Sequence, residues 1–194
     1  MKKINISPWV QRFSEIYLKK YKSTKKIKVL DLACGSGRHS RYFIKKKLSV
    51  FSVDKNISGI RDLQTRSNIS IIEADIEKTD PWSHPSALKG KKFNLIVVTN
   101  YLFRPLFPSI IRNLKKNGML IYETFSEGNE KYGHPKNLDF LLKSGELLKI
   151  VEKKLHVIAF EEGYIENPKK AVVQRICAKK IIKSKPQKFI DHLH

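Results

Sequence analysis

Residues 29–40 read VLDLACGSGRHS and decide the fold of the chain. The stretch opens as a run of β-branched and aliphatic residues, which predicts a buried strand. It then turns at Gly35-Ser36-Gly37 and resumes a helical pattern in which Phe43 and Ile44 face inward. Alternate glycines let the backbone turn sharply and approach a ligand, and the N–H groups of the next helix favour an anion. The stretch therefore predicts a nucleotide-type binding element.

Length and composition favour one soluble domain over residues 1–182. The chain has 194 residues, 41% hydrophobic and 29% charged, which is ordinary for a globular protein. Within this domain residues 1–26 form an amino-terminal helix and linker, and residues 183–194 are expected to be a flexible basic tail. The amino terminus lacks the apolar core of a signal peptide, and the longest apolar run, 95–98, is far shorter than a membrane span. We expect a cytoplasmic protein without membrane contact.

Two further features of the composition bear on partners. Cys34 and Cys177 cannot make a disulfide framework and lack metal-type spacing, so no metal is expected.

The formal net charge is +21, which is typical of an RNA- or DNA-binding protein. However, only eight of the 39 basic residues are arginine, the residue that nucleic-acid recognition favours. The lysines occur as surface doublets such as Lys25-Lys26, as a lysine-rich composition alone would produce. Both interpretations stay open.

Alternating hydrophobic runs and helical patterns predict twelve elements. The predicted helices are 4–22 (with Ser7 as its cap), 38–47, 58–66, 106–116 (closed by Asn117-Gly118) and 140–151 (broken near Ser144-Gly145), and the predicted strands are 27–33, 48–54, 69–75, 93–99, 119–125, 156–161 and 171–178. Five βα units followed by an antiparallel return predict an α/β fold with a Rossmann-like, doubly wound, seven-stranded sheet. The sheet is mostly parallel with an antiparallel final strand, and helices cover both faces. Ligands of such sheets bind beyond the carboxyl ends of the strands.

Three acids lie at these strand ends. Asp31 precedes the glycine turn, Asp54 ends the second strand and Asp75 ends the third. Asp54 is placed to accept both hydroxyls of a ribose. Asp75 can accept a hydrogen bond from an adenine amine, against which Ile76 can pack. A single acid at such a position is as often a helix cap or turn residue, but three in the same register favour a binding site.

A dinucleotide site is one alternative for the glycine turn. It requires the pattern G-x-G-x-x-G, and residues 35–40 supply it with Ser40 in place of the third glycine. Spacing alone therefore does not exclude NAD. The antiparallel return at the end of the chain departs from that class, because it replaces a further βα unit.

Over nearly its whole length the sequence resembles the class I S-adenosylmethionine (SAM)-dependent methyltransferases. Their successive motifs are matched by residues 29–37 (with Ala33 at the first glycine), 53–54, 74–76, 93–101 (with Asn100 where many members have Asp or Asn) and 117–120. The compact form is similar to tellurite-resistance-type (type 12) and other small stand-alone methyltransferases. The resemblance implies SAM as cofactor and an in-line methyl displacement, in which the protein orients the reactants and excludes water.

The resemblance also implies residue roles. Asp31 and the backbone of 33–37 would hold the methionine end of SAM, Asp54 the ribose and Asp75 the adenine, and Asn100 and Tyr101 would lie beside the methyl group. The implied cofactor-binding set is Asp31, Ala33, Cys34, Gly35, Gly37, Asp54, Lys55, Asp75, Ile76 and Asn100.

The candidate residues for contact with the methyl acceptor lie mainly in and beside the polar and aromatic loop after the fifth strand. Glu123, Tyr132 and His134 are candidates for acceptor contact or proton removal, or else they fix the loop by hydrogen bonds. Glu123 and His134 join Asn100 and Tyr101 as the predicted catalytic residues. Arg104 contacts an acidic substrate or is a solvated residue at a helix start. Trp9, on the first helix, closes over the cofactor or lies in the core.

These observations rank three functions. The first is a SAM-dependent methyltransferase acting on a small molecule, since the motif set is complete and no appended domain is seen. The second is an RNA methyltransferase, suggested by the charge, although residues 100–103 lack the prolines of the Asn/Asp-Pro-Pro motif that such enzymes often carry. The third is a non-catalytic SAM-binding subunit. A monomer and a homodimer are equally compatible with the sequence.

Overall fold

The structure is a computed structural model that describes residues 6–83 and 86–181. Its strands are β1 Lys28–Leu32, β2 Ser49–Asp54, β3 Ile69–Glu73, β4 Phe93–Thr99, β5 Leu114–Phe125, β6 His156–Ile165 and β7 Ala171–Lys179. Its α-helices are α1 Pro8–Leu18, α2 Arg38–Lys45, α3 Phe107–Arg112 and α4 Glu146–Val151. Short 3₁₀ helices span Ser58–Leu63, Arg104–Leu106, Asn129–Lys131 and Leu138–Phe140. The predicted tail, 183–194, lies outside the described residues.

The seven strands form one sheet in the order β3-β2-β1-β4-β5-β7-β6. β7 runs antiparallel to both β5 and β6, and the other neighbouring pairs are parallel. This confirms the predicted α/β architecture. The strand order reverses between β1 and β4, where Leu32 lies opposite Val98. A ligand site is therefore expected beyond these two strand ends.

Helices cover both faces of the sheet because the buried strands place apolar side chains on each side in turn. Leu30 and Ile96 pack with the residues of α3 and α4, whereas Val29 and Leu95 pack with Phe43 and the residues of α1 and α2. Complete burial of a side chain such as Phe43 contributes roughly 1.5–3 kcal/mol. The two cores hold the carboxyl ends of the strands in fixed positions.

The first helix begins as predicted. The Ser7 hydroxyl accepts a hydrogen bond from the Val10 N–H, and Pro8 occupies the first turn. Trp9 is 3% exposed and its indole N–H donates to the Ile176 carbonyl at 3.3 Å. Trp9 is thus a core residue beneath the sheet. No helix of the described residues is long and apolar enough to span a membrane.

The predicted helix 106–116 is wrong at its carboxyl end. α3 ends at Arg112, and β5 already begins at Leu114. Gly118 lies within that strand, where an added Cβ would meet the Lys115 carbonyl at 2.9 Å and the Phe93 carbonyl at 3.0 Å. The absence of a side chain at Gly118 thus lets β5 approach β4 closely where the register of their pairing shifts. Gly118 does not cap a helix.

Two other predicted helices are shorter than expected. The stretch 58–66 forms a 3₁₀ helix, Ser58–Leu63. In the stretch 140–151 the predicted break is confirmed, because Gly145 (φ +65°) separates Leu138–Phe140 from α4. Between these two segments Leu141 is extended, and Leu142 pairs beside the end of β5 through a bridge to Ser126.

Candidate active site

A cavity of about 380 Å³ opens at the carboxyl ends of the parallel strands. It is lined by Ala33, Asp54, Lys55, Ala74, Asp75, Ile76, Glu77, Asn100, Tyr101, Leu102, Thr124, Phe125, Pro135 and Phe140. Its volume lies in the range of small-molecule sites. Seven residues predicted from the sequence stand in its wall: Ala33, Asp54, Lys55, Asp75, Ile76, Asn100 and Tyr101.

The sharp turn predicted at the two glycines is present, and Ala33 shares their left-handed conformation, which was not predicted. Ala33, Gly35 and Gly37 have φ values of +53°, +53° and +72°. A Cβ on Gly37 would meet the Ile60 side chain at 2.3 Å, so glycine is required there for packing. A Cβ on Gly35 would meet no heavy atom within 4 Å, so the positive φ, and not packing, favours glycine there. Ala33 holds a positive φ at the cavity wall, at a cost of roughly 1–2 kcal/mol.

Asp31 lies beneath the turn and does not line the cavity. It is 1% exposed, and its Oδ2 accepts hydrogen bonds from the Ser40 N–H at 2.8 Å and the Ser40 hydroxyl at 2.5 Å. Burial raises the pKa of Asp31 to about 7, although the Ser40 bonds oppose this shift. The carboxyl group therefore ties β1 to the first turn of α2.

Cys34, Gly35 and Gly37 also lie outside the cavity wall. Burial raises the pKa of the Cys34 thiol, so the sulfur stays protonated and is a poor nucleophile. Cys34 contributes to a small apolar cluster with Ile57 and Ile60. Its role in the described structure is to support the turn from below.

Asp54 and Asp75 present carboxylates at neighbouring strand ends. Asp54 accepts from the Gly35 N–H at 2.7 Å through Oδ2 and from the Asn56 N–H at 2.9 Å through Oδ1. Asp75 accepts from the Glu77 N–H at 3.1 Å, and this bond lowers the pKa of Asp75. Each carboxylate oxygen has a second acceptor position. Both side chains are therefore oriented by backbone donors and keep acceptor capacity for a ligand.

Asn100 and Tyr101 follow the central strand. Asn100 has φ +55°, a conformation that asparagine tolerates, and its N–H donates to the Glu123 carbonyl at 2.9 Å. The Tyr101 hydroxyl is buried and has no hydrogen-bond partner in the described part of the chain. Burial raises the pKa of Tyr101, and the charge of Glu77 raises it further. This phenol stays protonated and can donate a hydrogen bond to a ligand.

The structure does not bring Glu123 or His134 to the cavity wall. Glu123 is 7% exposed; its Oε2 lies 2.6 Å from Arg175 Nε and accepts from the Ser7 hydroxyl at 3.2 Å. His134 is exposed, and its carbonyl accepts from the Asn129 side chain. Tyr132 stacks against Tyr164 with ring centroids 5.1 Å apart. These contacts fix the first helix and the loop after β5.

Arg104 is bound by protein groups and is neither a free substrate ligand nor a solvated residue. Its guanidinium donates to Glu146 at 2.6 and 2.9 Å, and to the carbonyls of Asp139 and Leu141 at 2.6 and 2.9 Å. Phe140, whose backbone lies between those two carbonyls, lines the cavity. Arg104 therefore positions one wall of the site.

Sequence reasoning missed several lining residues. Glu77 lies two positions after Asp75, and Thr124 is the penultimate residue of β5, at the same edge as Asn100. The position of each residue beside a predicted strand end is a sequence signal that could have identified it. Three apolar wall residues come from the end of β5 and from the loop beyond it: Phe125, Pro135 and Phe140. No local pattern points to them, because the packing of an irregular loop decides which of its side chains reach the cavity.

The charges of the wall suit a cationic ligand. Asp54, Asp75 and Glu77 line the cavity together with Lys55, which is the one basic residue among the described lining residues. The sulfonium of SAM is a cation, so the donor and charge set of the cavity fits this cofactor. No cluster of His, Cys, Asp and Glu able to hold a metal occurs within residues 6–83 and 86–181.

Comparison with known families matches residues 2–169 to the model described as tellurite resistance protein TehB. TehB from Haemophilus influenzae is a similar structure, with a TM-score of 0.63 and 20% identity; 89% of this chain covers 65% of that one. The chain thus spans about two thirds of the length of that relative. No curated protein matches the sequence.

Two further structures are similar. A SAM-dependent methyltransferase from Mesorhizobium loti has a TM-score of 0.68 and 13% identity, with 92% of this chain covering 100% of that one. The glycopeptide N-methyltransferase MtfA, crystallised with SAM, has a TM-score of 0.57 and 14% identity, with 90% of this chain and 95% of that chain covered. At such identities the likeness defines the fold, which is that of the SAM-dependent methyltransferases.

Proposed function

The chain belongs to the TehB family of tellurite resistance proteins, and we propose that it transfers the methyl group of SAM to a small molecule. One observation carries the proposal. A single cavity joins two oriented carboxylates, Asp54 and Asp75, to an apolar pocket formed around Phe125 and Phe140. The first part suits an adenosine and the second an acceptor beside it.

The cofactor end is assigned residue by residue. Asp54 accepts hydrogen bonds from the ribose hydroxyls, since backbone donors already orient both of its oxygens. Asp75 accepts from the adenine amine, and Ile76 packs against the ring. The turn at Gly35, whose N–H is bonded to Asp54, approaches the methionine part. SAM supplies a methyl group that is already activated by its sulfonium.

The acceptor end is mostly apolar. Phe125, Pro135 and Phe140 form its wall, with Thr124 and Tyr101 as polar groups. This composition suits a molecule with an apolar flank and one polar reacting atom. The Tyr101 hydroxyl donates a hydrogen bond to the acceptor and does not remove its proton, because its pKa is raised. The main contribution of the protein is orientation and exclusion of water, which lower the barrier without a dedicated base.

The charges favour a neutral or cationic acceptor. Asp54, Asp75 and Glu77 repel anions, and Lys55 is the single lining cation that opposes them. A tellurium oxyanion, which the name of the family suggests, is therefore a weaker proposal than an amine or a neutral nucleophile. The same carboxylates would repel the phosphates of an RNA acceptor at this edge of the sheet.

Transfer of labelled methyl tests the proposal. Purified protein, methyl-tritiated SAM and a cell extract are incubated, and the products are separated into small-molecule filtrate, RNA and protein. We expect label in the filtrate with the wild type and with Asp62→Ala, an exposed carboxylate outside the cavity, but not with Asp54→Ala.

Label in the RNA fraction would instead support the RNA methyltransferase. If no fraction is labelled while SAM still binds, a non-catalytic SAM-binding subunit becomes the better description. Either result contradicts the proposed function.

A further inference from the structure

Lysines concentrate in the segments that lead into the strands. We call these segments the basic edge and define it as residues 19–28, 45–47, 89–92, 115–116 and 153–154. They contain sixteen lysines and no acidic residue. Four of the segments enter β1, β2, β4 and β6, and the fifth lies at the start of β5. Since these strands are parallel, all five segments lie at the amino-end edge of the sheet, opposite the cavity.

The segments are contiguous in space. The Thr24 hydroxyl donates to the Lys46 carbonyl at 3.1 Å, which joins the segments before β1 and β2. Asn94 accepts from the Lys28 N–H at 3.0 Å and from the Lys115 ammonium at 3.2 Å, which joins those of β1, β4 and β5. The basic edge therefore forms a row that crosses the sheet.

The row continues to the far side of the sheet through β7. The Asn117 N–H donates to the Lys180 carbonyl at 2.9 Å, and Lys179 lies opposite His156 at the start of β6. From β2 to β6 the row crosses five strand intervals, or about 24 Å. Its shape is that of a line of positive charge.

Most of these lysines are free to meet a partner. Lys19, Lys20 and Lys22 are exposed, as are Lys25 and Lys26. Among the described residues, Lys46 is the one lysine of the basic edge that lies within 4 Å of a carboxylate, that of Glu15 at 3.4 Å. The charge is thus not neutralised by internal ion pairs.

Acids collect at the opposite edge. Asp54, Glu73 and Glu123 lie at or beside the carboxyl ends of β2, β3 and β5, and Asp75 follows β3. The seven residues of β4 separate the two edges by about 20 Å. Lysines also occur at this opposite edge, for example Lys55, Lys78 and Lys169, but there they are mixed with acids, whereas the segments of the basic edge contain no acid. The segregation of charge across the sheet therefore requires a separate explanation.

We propose that the basic edge binds the sugar-phosphate backbone of a nucleic acid without reading its sequence. A lysine ammonium binds phosphate as a point charge, and neutralising a row of phosphates releases counterions. The five segments contain no arginine, so they lack the planar forks that read bases. A linear row of ammonium groups matches a linear polyanion.

An anionic membrane fits this edge less well. Stable attachment by a basic patch requires a second, apolar anchor. The large apolar side chains exposed at or beside this edge in the described residues are Tyr21, with Ile16 in the last turn of α1, and Ile181, with Ile158 near the start of β6. Tyr21 precedes β1 and Ile181 follows β7, so three strand intervals separate the strand ends that they flank. They form no common patch that enters a bilayer.

The position of the basic edge makes the nucleic acid a docking partner and not the methyl acceptor. The phosphates bind about 20 Å from Asn100, on the far side of the sheet. SAM and nucleic acid are therefore expected to bind independently. Docking concentrates the protein on a polyanion while the cavity faces solvent.

Fluorescence anisotropy with a fluorescein-labelled, mixed-sequence, single-stranded RNA tests this proposal. The wild type is compared with Lys25→Glu/Lys26→Glu at the basic edge and with Lys169→Glu/Lys170→Glu in the exposed β6–β7 turn. Both doublets change the charge equally. We expect the first to weaken binding about tenfold and to reduce the slope of log affinity against log salt by about 1.4. The second is expected to change affinity by no more than about twofold.

Calorimetric SAM binding provides the fold control, and equal SAM affinity in the three proteins, with and without RNA, is expected. Equal losses of RNA affinity in both doublets, or no RNA binding by the wild type at low salt, overturn the proposal. So does binding to phosphatidylserine vesicles without binding to RNA. Competition between RNA and SAM also overturns it, because the RNA would then lie at the cavity edge.

Discussion

Arg104 and Glu146 join the segment after the central strand to the first turn of α4 through two hydrogen bonds, of 2.6 and 2.9 Å. The same guanidinium holds the carbonyls on either side of Phe140. These four bonds use the fork geometry that distinguishes arginine from lysine. One side chain thus links the end of β4, the loop beyond β5 and α4, and through them sets the apolar wall of the cavity.

Arg104→Lys is expected to loosen this wall. Lysine keeps the charge but cannot form the fork, and the pair is partly exposed, so the free energy of unfolding should fall by only about 1 kcal/mol. Cleavage in the 126–142 loop during limited proteolysis should accelerate, while SAM affinity stays within about twofold. Arg112→Lys, whose nearest carboxylate lies at 4.0 Å, is the control. Equal proteolysis of both variants would contradict the role of Arg104.

Asp54→Ala is expected to weaken SAM binding by tenfold or more, since each hydrogen bond to an ionised carboxylate contributes roughly 1.5–3 kcal/mol. Titration calorimetry measures the loss. Asp62→Ala removes an exposed carboxylate that pairs with Arg41 at 2.6 Å and should leave SAM affinity unchanged. Similar affinities of the two variants would remove Asp54 from the site.

Tyr101→Phe is expected to slow methyl transfer without lowering stability, because the hydroxyl is buried without a partner and its removal breaks no hydrogen bond of the described structure. Tyr122→Phe is the matched change, since that hydroxyl donates to the Tyr101 carbonyl at 2.8 Å. It should cost about 1 kcal/mol. Thermal melts and label incorporation separate the two effects; destabilisation by Tyr101→Phe, or an unchanged rate, would be inconsistent with this role.

The titration of Asp31 should make the free energy of unfolding fall as pH rises. Its pKa is raised from 3.8 to about 7 by burial, so between these values the folded protein retains a proton that the unfolded chain releases. The free energy of unfolding then decreases with pH by at most about 1.4 kcal/mol per unit. Asp31→Asn can still accept the Ser40 bonds and should lack this component. Urea unfolding of both proteins between about pH 4 and 8 measures the difference, and parallel profiles would show that Asp31 does not titrate in this window.

The titration of His39 should have the opposite effect, so that its contribution to the free energy of unfolding rises with pH. Burial lowers the pKa of His39 from 6.5 to about 3, so acid favours the unfolded chain, which takes up the proton. Stability from this group is present above about pH 6.5 and is lost as pH falls toward 3. Ring signals in NMR spectra should show no titration of His39 between about pH 5 and 8. A midpoint within that range would contradict the burial of a neutral imidazole.

Local patterns predicted the parts of the fold that depend on local chemistry. The glycine turn at 35–37 and the cap at Ser7 are where they were expected, because turn and cap conformations depend on a few adjacent residues. The helix predicted to run to residue 116 failed, since strand pairing of Leu114 with Phe93 outweighs its helical pattern. Contacts between distant segments decided that boundary.

The candidate site divides in the same way. Asp54, Asp75 and Asn100 line the cavity because strand ends of a parallel sheet converge at one edge, which the strand pattern alone predicts. Glu123 also ends such a strand region, yet its carboxylate meets Arg175 on the other face. Successive side chains of a β-strand point to opposite faces of the sheet. The sequence shows this alternation, but only the strand pairing of the folded protein shows which of the two faces holds the cavity.

By itself the sequence determined a seven-stranded α/β sheet and the acids at its carboxyl ends, since periodicity and glycine spacing are local properties, and the resemblance of its motifs indicated a methyltransferase. The tertiary structure decided that Asp31 supports the VLDLACGSGRHS turn from beneath, that Arg104 holds the wall around Phe140, and that lysines scattered along the chain form one edge. Each of these depends on segments far apart in sequence, and only the packing of the chain brings them together.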